Sequence, residues 1–130
     1  MEEDKSLAAE KNFENKIKEY LTENGAWFIK YWAGAAYTKA GIPDILACLN
    51  GIFLGIEVKA ASGKPSDLQN INIREIRKAC GIAIILYPYD YDTFIDLCES
   101  IKTNDLEYAK AFQFDFDELI SESQKEILYK

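Results

Sequence analysis

Asp44, Glu57 and Lys59 sit in the stretch PDILACLNGIFLGIEVK, whose other residues are apolar or turn-forming. Asn50-Gly51 is a strong signal for a two-residue hairpin, because both residues tolerate the positive φ of a type I′ turn. With that turn Leu49 faces Ile52, and each outward step conserves the sum of the residue numbers, bringing Asp44 opposite Glu57. Opposed side chains have Cβ atoms roughly 4.5–5.5 Å apart, and like charges so placed are destabilising. A divalent cation would supply the missing positive charge. One or two carboxylates, completed by waters and substrate phosphates, describe a Mg²⁺ or Mn²⁺ site. Lys59 lies on the same side of the strand as Glu57, where it can hold or deprotonate an attacking water or neutralise charge developing on a phosphate. The plainer reading is that Asp44 caps the turn after Pro43 and Glu57 pairs with Lys59 at a sheet rim.

The elements that must hold these groups follow from the pattern. Alternation puts Ile45, Ala47, Leu49, Ile52, Leu54, Ile56 and Val58 on one apolar face, and Asp44, Leu46, Cys48, Phe53, Gly55, Glu57 and Lys59 on the other. The spacing of Phe13, Ile17, Tyr20 and Leu21 predicts an amphipathic helix over 7–23, ended by Gly25. Trp27 to Trp32 reads as a strand. Ser66 and Gln69 are spaced as a capping box, opening a second helix that Gly81 ends. Ile82 to Tyr87 is a β-branched apolar run, read as a buried central strand that Pro88 breaks. Helices are expected over 92–100 and 115–129, while 104–114 is left open. The order is that of a small α/β sandwich on a mixed sheet, in one domain.

Two further side chains join by position. Glu14 shares the helical stripe of Ile17 and Leu21 and would project towards the sheet, or it is a surface acid at the stripe's edge. On the second helix Gln69 lies in the arc of Leu68, Ile76, Ala79 and Cys80, with Arg74, Arg77 and Lys78 opposite; its alternative role is simple capping.

Composition bounds the chemistry. The 130 residues suffice for a core without disulfide or metal staples. No histidine is present, which removes imidazole bases and ligands. Cys48, Cys80 and Cys98, odd in number and widely spaced, read as reduced packing residues. No apolar run is long enough to span a bilayer, and the acidic start MEEDKSLAAE lacks the features of a signal peptide. A cytoplasmic setting is expected. The net charge of −7 is unevenly spread: residues 25–90 carry seven Lys or Arg against five acids, whereas residues 91–130 carry four Lys against ten acids. The middle of the chain is therefore locally basic despite the acidic whole.

Gly41-Ile42-Pro43-Asp44, then Glu57-Val58-Lys59, then Gly63-Lys64 and Gln69, resembles the VRR-NUC branch of the PD-(D/E)xK nuclease superfamily over roughly residues 13–87. It looks most like the compact stand-alone forms of bacteriophages and prophages, which are related to Holliday junction resolvases and to the nuclease domain of the Fanconi-associated nuclease. The resemblance implies a restriction-endonuclease-like α/β core at about 7–88, a mixed central sheet flanked by helices, and a helical extension at about 90–130. It implies Mg²⁺- or Mn²⁺-dependent phosphodiester hydrolysis in branched DNA such as Holliday junctions, flaps or forks. Asp44, Glu57 and the carbonyl of Val58 would hold the metal, with Glu14, or its neighbours Glu10 or Glu19, as the acid of the first helix. Lys59 would position the water, and Gln69 would orient Lys59 or the water. Members of this size are commonly homodimers.

Lys30, Thr38, Lys39 and Lys64 lie near the motifs and could contact phosphates, or be ordinary solvated residues. Tyr31, Trp32 and Tyr37 could stack on unpaired bases or belong to a core or interface. A noncatalytic nucleic-acid-binding or assembly module that keeps the fold is the rival reading. It predicts DNA binding without Mn²⁺-dependent cleavage, whereas an intact Glu57-x-Lys59 favours the enzyme. A restriction-type enzyme would need base-reading elements for which the chain leaves little room.

Overall fold

The computed structural model describes residues 2–32 and 39–117, with side chains from Leu7 onward. Helix α1 (Glu2–Glu23) leads to strand β1 (Trp27–Lys30), the hairpin β2 (Ile45–Leu49) and β3 (Ile52–Val58), helix α2 (Asp67–Lys78), strand β4 (Ile82–Leu86), and helices α3 (Tyr91–Lys102) and α4 (Leu106–Phe112). A short 3₁₀ turn at Pro88–Asp90 links β4 to α3. The four strands form one sheet in the order β1-β2-β3-β4. β1, β2 and β3 are antiparallel neighbours, and β4 joins β3 in parallel through the α2 crossover. This is the mixed, helix-flanked α/β sheet expected from the sequence, and it is consistent with a restriction-endonuclease-like fold.

The hairpin forms as its turn chemistry requires. Asn50 and Gly51 both have positive φ, 51° and 82°, and the pairs Leu49–Ile52, Ala47–Leu54 and Ile45–Ile56 all conserve the same residue sum. Their shared apolar face is buried against Phe13, Ile17 and Leu21 of α1 and Phe94, Leu97 and Ile101 of α3. The opposite face is covered at β3 and β4 by α2, where Ile73 and Ile76 pack on Ala83, Ile85 and Tyr87. The hairpin tip is anchored separately: the Asn50 amide donates to the Ile101 carbonyl at 3.1 Å, at the end of α3.

Several local expectations are corrected. α1 starts about a turn earlier than the apolar stripe indicates, since its acidic first residues carry no periodic signal. Cys98 is a buried thiol, but Cys48 and Cys80 are exposed, because Cys48 lies on the part of the sheet that α2 leaves uncovered. On α2 the buried stripe is Asn72 and Ile73, whereas Leu68, Ala79 and Cys80 face outward. Arg77 turns towards the sheet instead of solvent, its guanidinium donating to the Ala83 carbonyl at 3.0 Å and pairing with Asp117 at 2.8 Å. The open stretch 104–114 contains α4, capped by the Asp105 side chain. Most of the helix expected over 115–129 lies outside the described residues.

Candidate active site

Asp44 immediately precedes β2, at the end of the hairpin ladder farthest from the turn. Its carbonyl accepts from the Tyr31 amide at 2.8 Å, tying it to β1. Its side-chain Oδ2 accepts from the backbone N–H of Val58 at 2.8 Å. That bond fixes the Asp44 carboxylate against the strand that bears Glu57, and so the opposition expected from the turn is realised. Lys59 continues beyond β3, and its amide donates to the Leu86 carbonyl of β4.

Glu57 is 2% exposed. Its Oε1 accepts from Gln69 Nε2 at 3.0 Å and lies 3.7 Å from Lys59 Nζ. Its Oε2 is buried with no hydrogen-bond partner among the described residues. Burial first, then the charge of Asp44, push Glu57 up to about 9, although the Lys59 ammonium pulls the other way. Without a cation, the pair therefore keeps a proton on Glu57 near neutral pH. A buried carboxylate oxygen with no donor is what an ion-binding site leaves behind, since each such atom otherwise costs free energy.

α2 supplies the third element. Ser66 caps it in a complete capping box: Gln69 N donates to the Ser66 hydroxyl, and the Ser66 amide donates to Gln69 Oε1 at 2.8 Å. The carboxamide thus accepts from the cap through its oxygen and donates to Glu57 through its nitrogen, so capping and site contact are one arrangement. Gly41 lets this helix approach. Its φ is 82°, and a Cβ there would lie 2.7 Å from the Leu68 backbone. The turn at 60–63 is held by the Tyr87 hydroxyl, which donates to the Gly63 carbonyl at 2.7 Å. Tyr87 carried no signal of this role in the sequence, where it read only as the end of an apolar strand.

On α1, Glu14 is 6% exposed and ion-paired with Lys30 and with Lys18. Burial alone would raise its carboxyl, but hydrogen bonds from both lysines outweigh that and hold it below its usual value. Glu10, one turn earlier, is half-buried; burial and then the Asp44 charge raise it, against the pull of Lys59 and Lys30. Glu10 is also the α1 acid whose field reaches Glu57. Glu10, Glu14, Lys30 and Trp32 line one cleft of about 300 Å³, and the Lys30 ammonium sits 5.2 Å above the Trp32 ring. Glu19 is exposed. Among the described residues no three side chains of the His, Cys, Asp and Glu types converge on one point. The structure thus brings Asp44, Glu57, Lys59 and Gln69 together, and leaves Glu14 engaged by lysines beside them. Lys39 and Lys64 are exposed, and the Lys39 amide donates to the Tyr31 hydroxyl at 2.8 Å. Thr38 and Tyr37 lie outside the described residues.

Comparison with protein families matches residues 6–124 to the archaeal Holliday junction resolvase (hjc) family. The chain belongs to this family. The match runs from α1 to beyond α4, so it includes every element that carries the site. Resolvase-family membership makes the protein a nuclease-type enzyme acting on DNA, of the PD-(D/E)xK superfamily. No curated protein matches the chain. The described residues contain no helix long and apolar enough to cross a membrane.

The donor set fits a small divalent cation. Asp44 and Glu57 offer two carboxylates, and the Val58 carbonyl extends from the same segment. Mg²⁺ is satisfied by one or two carboxylates with waters and substrate phosphate filling the remaining positions. The orphaned Glu57 oxygen and its retained proton are the features a cation would relieve.

Proposed function

We propose that the protein is a Mg²⁺- or Mn²⁺-dependent, structure-selective DNA endonuclease that hydrolyses phosphodiester bonds at branched DNA, with Holliday junctions, flaps and forks as substrates. The observation that carries this is the Asp44–Glu57 carboxyl pair, one oxygen of which is buried without a partner among the described residues. Asp44, Glu57 and the Val58 carbonyl would hold the metal. When bound, the metal supplies charge neutralisation and an acidified water. Lys59 orients the attacking water and balances charge on the phosphate, and Gln69 fixes the Glu57 carboxylate. Glu14 is proposed as the first-helix acid on the strength of its burial: Lys30 and Lys18 keep it ionised, hence available to a competing cation. Lys30, Thr38, Lys39 and Lys64 are proposed to contact DNA phosphates.

The Gly41 to Gln69 motifs support, in this reading, the compact VRR-NUC branch of phage or prophage type, acting in the cytoplasm of a bacterial host. It would be one nuclease domain over 1–130, working as a homodimer. The test is incubation with Mn²⁺ and labelled single-stranded, duplex, flap and four-way DNAs. Cleavage confined to branched substrates, abolished in both Asp44→Asn and Lys59→Ala while the variants stay folded, is the expected result. Full activity in either variant overturns the assignment. Glu14→Gln is expected to lower cleavage more than Glu10→Gln; the reverse order would move the first-helix role to Glu10.

A further inference from the structure

Helix α2 runs on past the carboxyl pair, and the groove between it and the outer edge of β4 holds a second set of side chains. Gln69 donates to Glu57 from the first turn. Asn70, Arg74 and Lys78 follow at four-residue spacing on an adjoining face of the same helix. They border a cleft of about 590 Å³ whose apolar floor is Ile73 of α2 and Ile85 of β4, with Phe114 as a wall. Clefts that hold small organic ligands span roughly 300–1,000 Å³. Ile73 and Ile85 are buried, whereas the Phe114 ring is 53% exposed.

Arg74, Arg77 and Lys78 line this cleft against the single acid Asp117, a local surplus of positive charge in a chain of net charge −7. Arg77 is fixed: it pairs with both oxygens of Asp117 at 2.8 and 3.2 Å, donates to the Ala83 carbonyl at 3.0 Å, and lies 5.0 Å from the centre of the Phe114 ring. Arg74 has no acidic partner among the described residues. Lys78 lies 3.6 Å from Glu75 in an exposed pair, which a phosphate displaces at little cost. The cleft also meets an open strand edge. The Ala83 amide donates to Gln113 Oε1, while the Leu86 carbonyl accepts from Lys59 on the β3 side. Alternation along a parallel strand therefore turns the N–H and carbonyl of Ile85 to the same side as those of Ala83, away from β3.

We propose that this cleft is a subsite for an unpaired nucleotide of a DNA strand, its base on Phe114 and the Ile73–Ile85 floor and its flanking phosphates on Arg74 and Lys78. Aromatic rings that stack bases beside cations that follow the backbone hold single strands irrespective of sequence. At 1.5 Å per residue, Arg74 and Lys78 stand about 7.5 and about 13.5 Å from Gln69 along the helix axis. A strand leaving the carboxyl pair covers that distance in about two to four nucleotides at a rise of roughly 3.4 Å each. An acidic peptide added as a further strand is disfavoured, because Gln113 and Arg77 already occupy the β4 edge at Ala83 and leave too short a ladder. The proposal deepens the nuclease reading and rests on it for the identity of the strand. A flap or an opened junction supplies unpaired nucleotides beside its branch point, and a continuous duplex does not.

Fluorescence anisotropy of the full chain in EDTA, with a labelled oligo-dT of about 12 nucleotides and a blunt duplex of equal length, tests the subsite apart from cleavage. Arg74→Ala and Phe114→Ala are each expected to weaken oligo-dT binding about 10-fold and to leave duplex affinity unchanged. Arg74→Ala should also lower the slope of log affinity against log salt by about 0.7, as one lost phosphate contact does on a single strand, while Phe114→Ala keeps the wild-type slope. Phe114→Trp should retain oligo-dT affinity, and oligo-dT should quench its added indole fluorescence. No oligo-dT binding by the wild type, equal weakening of both DNAs, or unaltered binding in Arg74→Ala with no quenching in Phe114→Trp overturns the proposal. So does a lowered melting temperature in Phe114→Ala with unchanged binding, which would make the cleft a packing surface for the chain itself. The expected losses in a protein that cleaves no DNA with Mn²⁺ would uphold the subsite and refute the nuclease reading.

Discussion

At the scale of single residues, two buried acids are held protonated where the unfolded chain would release the proton. Glu57 is pushed up to about 9 from an ordinary 4.5 by burial and the Asp44 charge. Asp90, 4% exposed with its Oδ2 unpartnered among the described residues, is pushed up to about 6 from 3.8 by burial. Between the two values of each group the folded state binds more protons than the unfolded state, so stability falls as pH rises. The Asp90 loss is complete above its folded value, and the Glu57 loss continues to about 9. Glu14, lowered by its lysines against the effect of burial, acts in the opposite sense: its contribution is present above the unfolded value and is lost as pH falls through the folded one. The metal-free protein is therefore expected to lose melting temperature steadily from neutral pH to about 9, and Glu57→Gln to flatten that slope, as thermal melts at several pH values would show. Asp90→Asn is expected to raise the melting temperature at neutral pH by removing a buried charge whose Oδ2 has no partner among the described residues; an unchanged melt would mean that Asp90 is satisfied in solution.

At the scale of elements, α2 connects stability to the site. Ser66→Ala removes one half of the capping box and is expected to cost about 1 kcal/mol, measured as a reduced urea midpoint. It should also slow cleavage, because Gln69 loses the anchor that aims its nitrogen at Glu57. Gly41→Ala meets both a left-handed φ and the Leu68 backbone, with an expected loss of about 1–3 kcal/mol and a displaced first turn of α2. The cap and hairpin were legible because turn and cap chemistry are local. So was the Asp44–Glu57 opposition, which follows from the residue count of a two-residue loop. The buried side of α2 was not legible: helical spacing grouped Leu68 with Ile76, but the crossover between β3 and β4 buries Asn72 and Ile73 and draws Arg77 inward to the β4 edge. Tyr87 was equally hidden, because its hydroxyl acts on a turn 24 residues away.

At the scale of the whole molecule, the sheet has a covered half and an open half, and the carboxyl pair sits at one end of the face they share. Metal binding at the proposed site would expel the Glu57 proton, so affinity should rise with pH. Mn²⁺ is accordingly expected to raise the melting temperature more at about pH 8 than at about pH 6, and equal shifts at both would argue against metal displacing that proton. Local covalent geometry and periodicity, readable along the chain, decided the hairpin register, the capped second helix, the buried fourth strand and the opposition of two acids across a turn. Which acids are desolvated, which lysines hold Glu14, and which apolar residues stay in water depend on what comes from elsewhere in the chain to cover them. Burial is a property of packed neighbours distant in sequence, and only the assembled layers decide it.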